Sequence, residues 1–110
     1  MDKLLGLLGL AYRGRKLDIG ERPVLQALAS KRALLVLAAA DAADNTIDRI
    51  RTRAGDTPVY RCRYDKAALG AAFGRQSCSV AAICDRNLAT EITVRLNDGE
   101  HFGGGFIWEA

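Results

Sequence analysis

The run Leu34–Ala40 is apolar at every position and ends on Asp41. It lacks the alternation of a half-solvated strand, so it predicts a central strand covered on both faces. Ser79–Cys84, built around Val80–Ile83, predicts a second buried strand. Val59–Arg63 alternates apolar and basic residues, which suits a strand nearer a sheet edge. Arg15–Ile19 is a shorter strand candidate, closed by Gly20.

Helical spacing fills the intervals. Leu4, Leu7, Leu8 and Ala11 share one face of a first helix, which Asp2 can cap and Gly14 ends. A second helix begins near Glu21, with Pro23 in the first turn, where a missing N–H costs nothing. Its apolar stripe is Val24, Leu25, Leu28 and Ala29, and Lys31 and Arg32 complement its C-terminal dipole. Asp44 or Asn45 caps a third helix reaching about Ala54, with Ile47 and Ile50 inward. Gly55–Pro58 is a turn, and Tyr64 or Asp65 starts a fourth helix ending at Phe73 and Gly74. Arg75–Cys78 is a loop, and Asn87–Leu96 a last helix. Strands alternating with helices predict an α/β sandwich whose strands end in polar loops along one edge.

Composition narrows this picture. At 110 residues the chain makes one domain with a single core, placed at residues 1–96. Residues 97–110 form a tail that mixes glycines with Phe102, Phe106, Ile107 and Trp108. Two options stay open for it, disorder or docking of its aromatics on the domain. The formal charge of +3 is mild. The surplus is mostly arginine, whose planar fork suits phosphates and guanine edges. Leu4–Ala11 is not expected to be a signal peptide, being short, with little positive charge before it and no convincing cleavage site. The longest apolar run falls far short of the ~20 residues that span a bilayer, so no membrane partner is expected. Cys62, Cys78 and Cys84 lack a C-x-x-C spacing, and an odd count without an export signal suggests a reducing cytoplasm. Cys62 and Cys84 read as buried small hydrophobes, and Cys78 as a loop residue open to exposure.

Candidate chemistry is sparse. His101 is the sole histidine and lies in the tail, which gives neither a catalytic pair nor a metal set. Asp41, Asp44 and Asp48 read more simply as a cap and a solvated face than as a Mg²⁺ cluster. Gly70 and Gly74 do not form a phosphate loop, because no Lys-Ser/Thr follows. They read instead as small residues that let a helix approach the sheet, with Gly74 as its cap. No cofactor, metal or catalytic residue is expected. Gly20-Glu21-Arg22 stands at a helix N-terminus, where free amides and the dipole attract phosphate. Arg22 there either reads a guanine edge or holds a backbone phosphate, or it is a solvated residue beside a glycine turn. Arg75-Gln76-Ser77 is a polar loop before a buried strand.

Taken in order, Leu7–Leu17, Gly20-Glu21, Leu34–Ala40 with Asp41, Asn45-Thr46, Gly70-x-x-x-Gly74 and Val80–Ile83 resemble the kink-turn RNA-binding ribosomal proteins. This is the L-seven-Ae/L-thirty-e superfamily, and the likeness is closest to its small bacterial members. It covers residues 4 to 96. It implies a three-layer α/β/α sandwich with a mixed four-stranded sheet. It also implies an RNA site made by the start of the second helix and the loop before the last strand. Carried over by position, it points to Gly20, Glu21, Arg22, Pro23 and Gln26 and to Arg75, Gln76, Ser77 and Cys78, and the residues expected to bind RNA are Lys16, Gly20, Glu21, Arg22, Gln26, Arg75, Gln76, Ser77 and Cys78. Where the family's best RNA binders carry Asn-Glu and then Lys, this chain has Arg22, Pro23 and Gln26.

The function expected from residues and resemblance together is non-catalytic binding of structured RNA, ribosomal RNA included, in the cytoplasm. The alternative is a protein-interaction module of the same fold, taking a protein partner through the tail. A third option is a thiol enzyme using Cys78.

Overall fold

The computed structural model describes residues 3–97 and 106–108. The Asp2 cap, His101 and Phe102 lie outside the described residues. The helices are α1 (Lys3–Arg13), α2 (Glu21–Ala29), α3 (Asp44–Ala54), α4 (Lys66–Ala72) and α5 (Arg86–Asn97). Between them run β1 (Leu17–Ile19), β2 (Leu35–Ala38), β3 (Val59–Arg61) and β4 (Val80–Ile83).

The four strands form a mixed sheet in the order β1-β4-β2-β3. Val36 is opposite Val59 in the one parallel pair, β2 with β3. β4 runs antiparallel to both its neighbours, with Leu17 opposite Ile83 on one side and Ala38 opposite Val80 on the other. A further strand, β5 (Phe106–Trp108), pairs antiparallel outside β3, with Tyr60 opposite Ile107. The sequence left the tail's place open. Its backbone at these three residues extends the sheet at the edge opposite β1.

β2 and β4 are buried along their whole length, which explains their unbroken apolar runs. α2 packs on α3, while α1 packs on α4 and α5, so helices cover both faces. Leu4, Leu8, Val24, Val36, Leu37, Ile50, Leu69, Ile83 and Ile92 are all essentially inaccessible to solvent. Each such side chain contributes about 1.5–3 kcal/mol by leaving water. Gly9 lets α1 approach α4, because a Cβ there would lie 2.9 Å from the Ala72 carbonyl oxygen.

Some local expectations change. In α2 the buried stripe is Val24, Ala27 and Leu28, and Ala29 is exposed. The 3.6-residue period puts Ala27 and Leu28 over Val24 and turns Ala29 away. Ala43, not Asp44 or Asn45, holds the N-cap position of α3, and it supplies no side-chain acceptor. Asp44 instead places its carboxylate in the first turn, where the dipole favours it. Of the two starts offered for α4, Tyr64 and Asp65, it is Asp65 that caps the helix, accepting from the Ala68 amide at 2.8 Å. Asp85 caps α5 by accepting from the Leu88 amide at 2.9 Å.

Candidate nucleic-acid interface

The register determines which loops meet. Ile19 is opposite Ala81, and Ala38 is opposite Val80, so the C-terminal ends of β1 and β2 flank the N-terminal end of β4. Three segments therefore share one rim: Gly20 with the start of α2, the Arg75–Ser79 loop, and the link from β2 into α3. Two helix N-termini, those of α2 and α3, open onto this rim and bring their positive dipole ends together.

Gly20 makes the corner between β1 and α2. Its φ of 99° and ψ of 156° are natural for glycine and strained for a residue with a Cβ. Its amide donates to the Val80 carbonyl at 2.9 Å, tying the helix start to β4. As N-cap it has no side chain to offer, so the first amides of α2 stay uncapped. Pro23 has no N–H, and the Val24 amide already donates to the Gly20 carbonyl at 3.1 Å. The amides of Glu21 and Arg22 are thus the ones left for an incoming anion. The Arg22 side chain is exposed and makes no ion pair with another described residue. Gln26 lies one turn further along the same exposed face.

The second wall is the loop after α4. Phe73 is the C-cap, and Gly74 follows at φ 70°, the left-handed conformation expected of a helix-ending glycine. Gly70 serves a different contact from the one its sequence implied. A Cβ there would stand 2.6 Å from the Ser77 Cα and 2.9 Å from the Arg75 carbonyl oxygen. Gly70 therefore admits the loop after α4, not the sheet. The Arg75 amide donates to the Gly70 carbonyl at 2.7 Å, and the Cys78 amide donates to the Lys66 carbonyl at 3.0 Å. From outside, Arg75 Nη2 donates to Tyr12 Oη at 3.0 Å, with its guanidinium 6.0 Å from the Tyr12 ring centre. Tyr12 in turn packs on Phe73, ring centres 5.3 Å apart. Helix α1 thus anchors a loop more than sixty residues away.

A third element was not foreseen. Arg49 of α3 reaches across to Glu21 with two prongs. Its Nε donates to Oε2, and its Nη2 donates to Oε1 at 2.9 Å. The same Nη2 lies 3.4 Å from Thr46 Oγ1. Hydrogen bonding from Arg49 lowers the Glu21 pKa below its usual value, so the carboxylate stays charged. The pair is partly open to water, which screens it.

These parts enclose a cleft of about 240 Å³, lined by Ile19, Gly20, Glu21, Thr46, Arg75, Ser77, Cys78 and Ser79. It brings together four of the residues expected from sequence besides Glu21: Gly20, Arg75, Ser77 and Cys78. Arg22 and Gln26 sit outside it on α2, and Gln76 is exposed at the loop tip. Lys16 is not part of it. Its carbonyl accepts from the Cys84 amide at the other end of β4, and its Nζ faces Asp85 at 4.0 Å. Four residues of strand and turn, about 13 Å, separate Lys16 from Gly20.

Cys78 differs from its expected exposure. It is buried, and its Sγ donates to the Val80 carbonyl at 3.2 Å. Burial raises its pKa, which keeps the thiol protonated and argues against a nucleophile. Cys62 is buried too, and burial pushes its pKa up to about 11. Cys84 is only partly buried, and its Sγ lies 3.9 Å from Asp18 Oδ2. The three aspartates of the β2–α3 region have separate duties. Asp41 accepts from the Lys66 amide at 2.8 Å, Asp44 faces Arg61 at 3.6 Å, and Asp48 lines a groove between α2 and α3. Among the described residues no group of three metal-ligating side chains is gathered, and no helix is long and apolar enough to cross a membrane.

Against known proteins, residues 2–93 match the model of the Ribosomal protein L7Ae/L30e/S12e/Gadd45 family. The RNA-binding protein YlxQ of Bacillus subtilis (strain 168) is 34% identical over 92 residues, covering 83% of this chain and 92% of that protein. A structure of a protein with unknown function from Bacillus halodurans C superposes with a TM-score of 0.81 at 28% identity, over 88% of this chain and 99% of the other. The Giardia lamblia 15.5kD RNA binding protein shares the fold, with a TM-score of 0.67 at 23% identity over 89% and 91% of the two chains. The match spans nearly the whole described domain and includes both walls of the cleft. The chain belongs to the Ribosomal protein L7Ae/L30e/S12e/Gadd45 family.

Proposed function

We propose that this chain is a non-catalytic protein that binds structured RNA through the α2 start and the Arg75–Ser77 loop, and that its RNA belongs to the ribosome or its assembly. The observation that carries the reading is convergence. Two segments some fifty residues apart in sequence line one cleft, beneath uncapped amides and beside an exposed Arg22. The family relationship and the RNA-binding name of the Bacillus subtilis relative support the same reading.

The chemistry favours backbone over base contacts. The Glu21 and Arg22 amides and the Arg22 guanidinium suit phosphate oxygens. Ser77 and Gln76 add neutral donors and acceptors able to meet base edges or 2′-hydroxyls. Pro23 has neither a side-chain polar group nor an N–H, so one position that reads bases in the family's kink-turn binders is silent here. The chain then holds an RNA shape with few base-specific contacts.

Crosslinking the protein to RNA in cells and sequencing the bound fragments tests this directly. Enrichment of one folded ribosomal RNA segment is the expected result. Recovery of RNA no different from the background of an unrelated basic protein contradicts it.

A further inference from the structure

The RNA site as built contains an anomaly. Glu21 is a carboxylate in the mouth of a cleft that is to receive a polyanion. An uncompensated negative charge there would repel the phosphates that the neighbouring amides attract. The structure deals with it through a residue outside the segments that form the two walls. Arg49 engages both carboxylate oxygens of Glu21 and also reaches Thr46. Glu21 and Arg49 are 28 positions apart on two different helices, so the pair is tertiary and not a local helix pairing. It joins the first residue of α2 to the second turn of α3.

On the RNA-binding reading above, we propose that Arg49 is a positioning residue of the RNA site, which cancels the charge of Glu21 and fixes the start of α2 against α3. Two consequences follow from the geometry. First, the pair presents a nearly neutral surface, so the amide end of α2 and Arg22 dominate the local field. Second, a two-pronged guanidinium–carboxylate contact fixes orientation as well as distance, which a lysine ammonium does not do. The contribution is indirect. Arg49 improves RNA binding by what it does to Glu21.

A double-mutant cycle separates this role from direct contact. The probe is a fluorescein-labelled hairpin with an internal loop of tandem G·A pairs, titrated at low salt with wild type, Arg49→Ala, Glu21→Gln and the double variant. Arg49→Ala exposes one charge near several phosphates and is expected to weaken binding about tenfold. Glu21→Gln removes the charge while keeping the shape, so it is expected to weaken binding less than Arg49→Ala does, and the double variant is expected to recover most of what Arg49→Ala alone loses. The deficit of Arg49→Ala should shrink as salt rises, because screening shortens the repulsion. A double variant as weak as Arg49→Ala overturns the proposal, since Arg49 would then touch RNA itself. An Arg49→Ala protein that binds like wild type overturns it as well. The pair is exposed, so the melting temperatures of all four proteins should agree within a few degrees. Failure of the RNA reading shows differently: the wild-type protein would bind neither this hairpin nor purified ribosomal RNA, and both claims would fall together.

Discussion

Gly70 and Ser77 are in backbone contact. A methyl group on Gly70 would lie 2.6 Å from both the Cα and the amide nitrogen of Ser77. No side chain can relieve this, because the obstacle is main chain. The α4 helix and the loop that follows it are therefore packed as one unit, and the loop's shape depends on the absence of a side chain at one helical position.

Gly70→Ala should accordingly cost stability and binding together. Overpacking of this kind costs about 1–3 kcal/mol. Denaturant unfolding would measure the loss, and anisotropy titration against the hairpin should show weaker binding. A variant that unfolds like wild type and binds like wild type would mean the loop has room to move aside.

Tyr12 anchors Arg75 from the back of the loop. Tyr12→Phe keeps the ring against Phe73 and removes only the hydroxyl acceptor. A hydrogen bond to a charged group is worth about 1.5–3 kcal/mol when sheltered, and less at an exposed site such as this. The expected result is an intact fold with faster amide hydrogen exchange at Arg75–Ser77. Unchanged exchange there would show that the loop is held by Gly70 and its backbone hydrogen bonds alone.

Much of this architecture was legible in the sequence. The strands β2 and β4 announced themselves because burial on both faces removes every polar residue. Asp65 and Gly74 marked the ends of α4 through their cap chemistry. The α2 N-terminus was visible from Gly20 and Pro23. What stayed hidden was tertiary. Arg49 reads in sequence as one of several outward arginines, and nothing local says that it meets Glu21. Lys16 was drawn in by its place in the family's pattern, yet strand direction carries it to the far end of the sheet. Cys78 sits in a polar loop, but the Lys66 and Val80 carbonyls hold it inward.

The thiols give a pH prediction. Burial raises the pKa of Cys62 to about 11 and also raises that of Cys78. Folding therefore favours their protonated forms. That contribution is complete below about pH 8.5, the ordinary thiol value, and is lost as pH climbs towards the folded-state value. Stability should fall between pH 8.5 and 11 more steeply in wild type than in Cys62→Ala once their different baselines are subtracted. At neutral pH, mass spectrometry after brief iodoacetamide treatment should find Cys84 modified first, and Cys62 and Cys78 only on unfolding. Rapid modification of Cys78 in the native protein would revive a thiol chemistry at the cleft.

The tail strand β5 lies beyond β3, while the cleft lies between β1, β4 and β2. At about 4.8 Å per strand, three steps place β5 roughly 14 Å from β4. Removing residues 98–110 should leave RNA affinity unchanged and uncover the β3 edge, an invitation to strand pairing between copies. Size-exclusion chromatography with light scattering should show more association at high concentration. A large loss of RNA affinity on truncation would place the tail in the interface.

The central claim is that Arg22, beside the uncapped amides of α2, meets RNA phosphate. The salt dependence of binding measures this most directly. Plotting log K against log salt for wild type and Arg22→Ala should give a weaker variant at every salt concentration and a slope shallower by about one phosphate contact. An Arg22→Ala line that overlays the wild-type line, in height and in slope, would contradict the account.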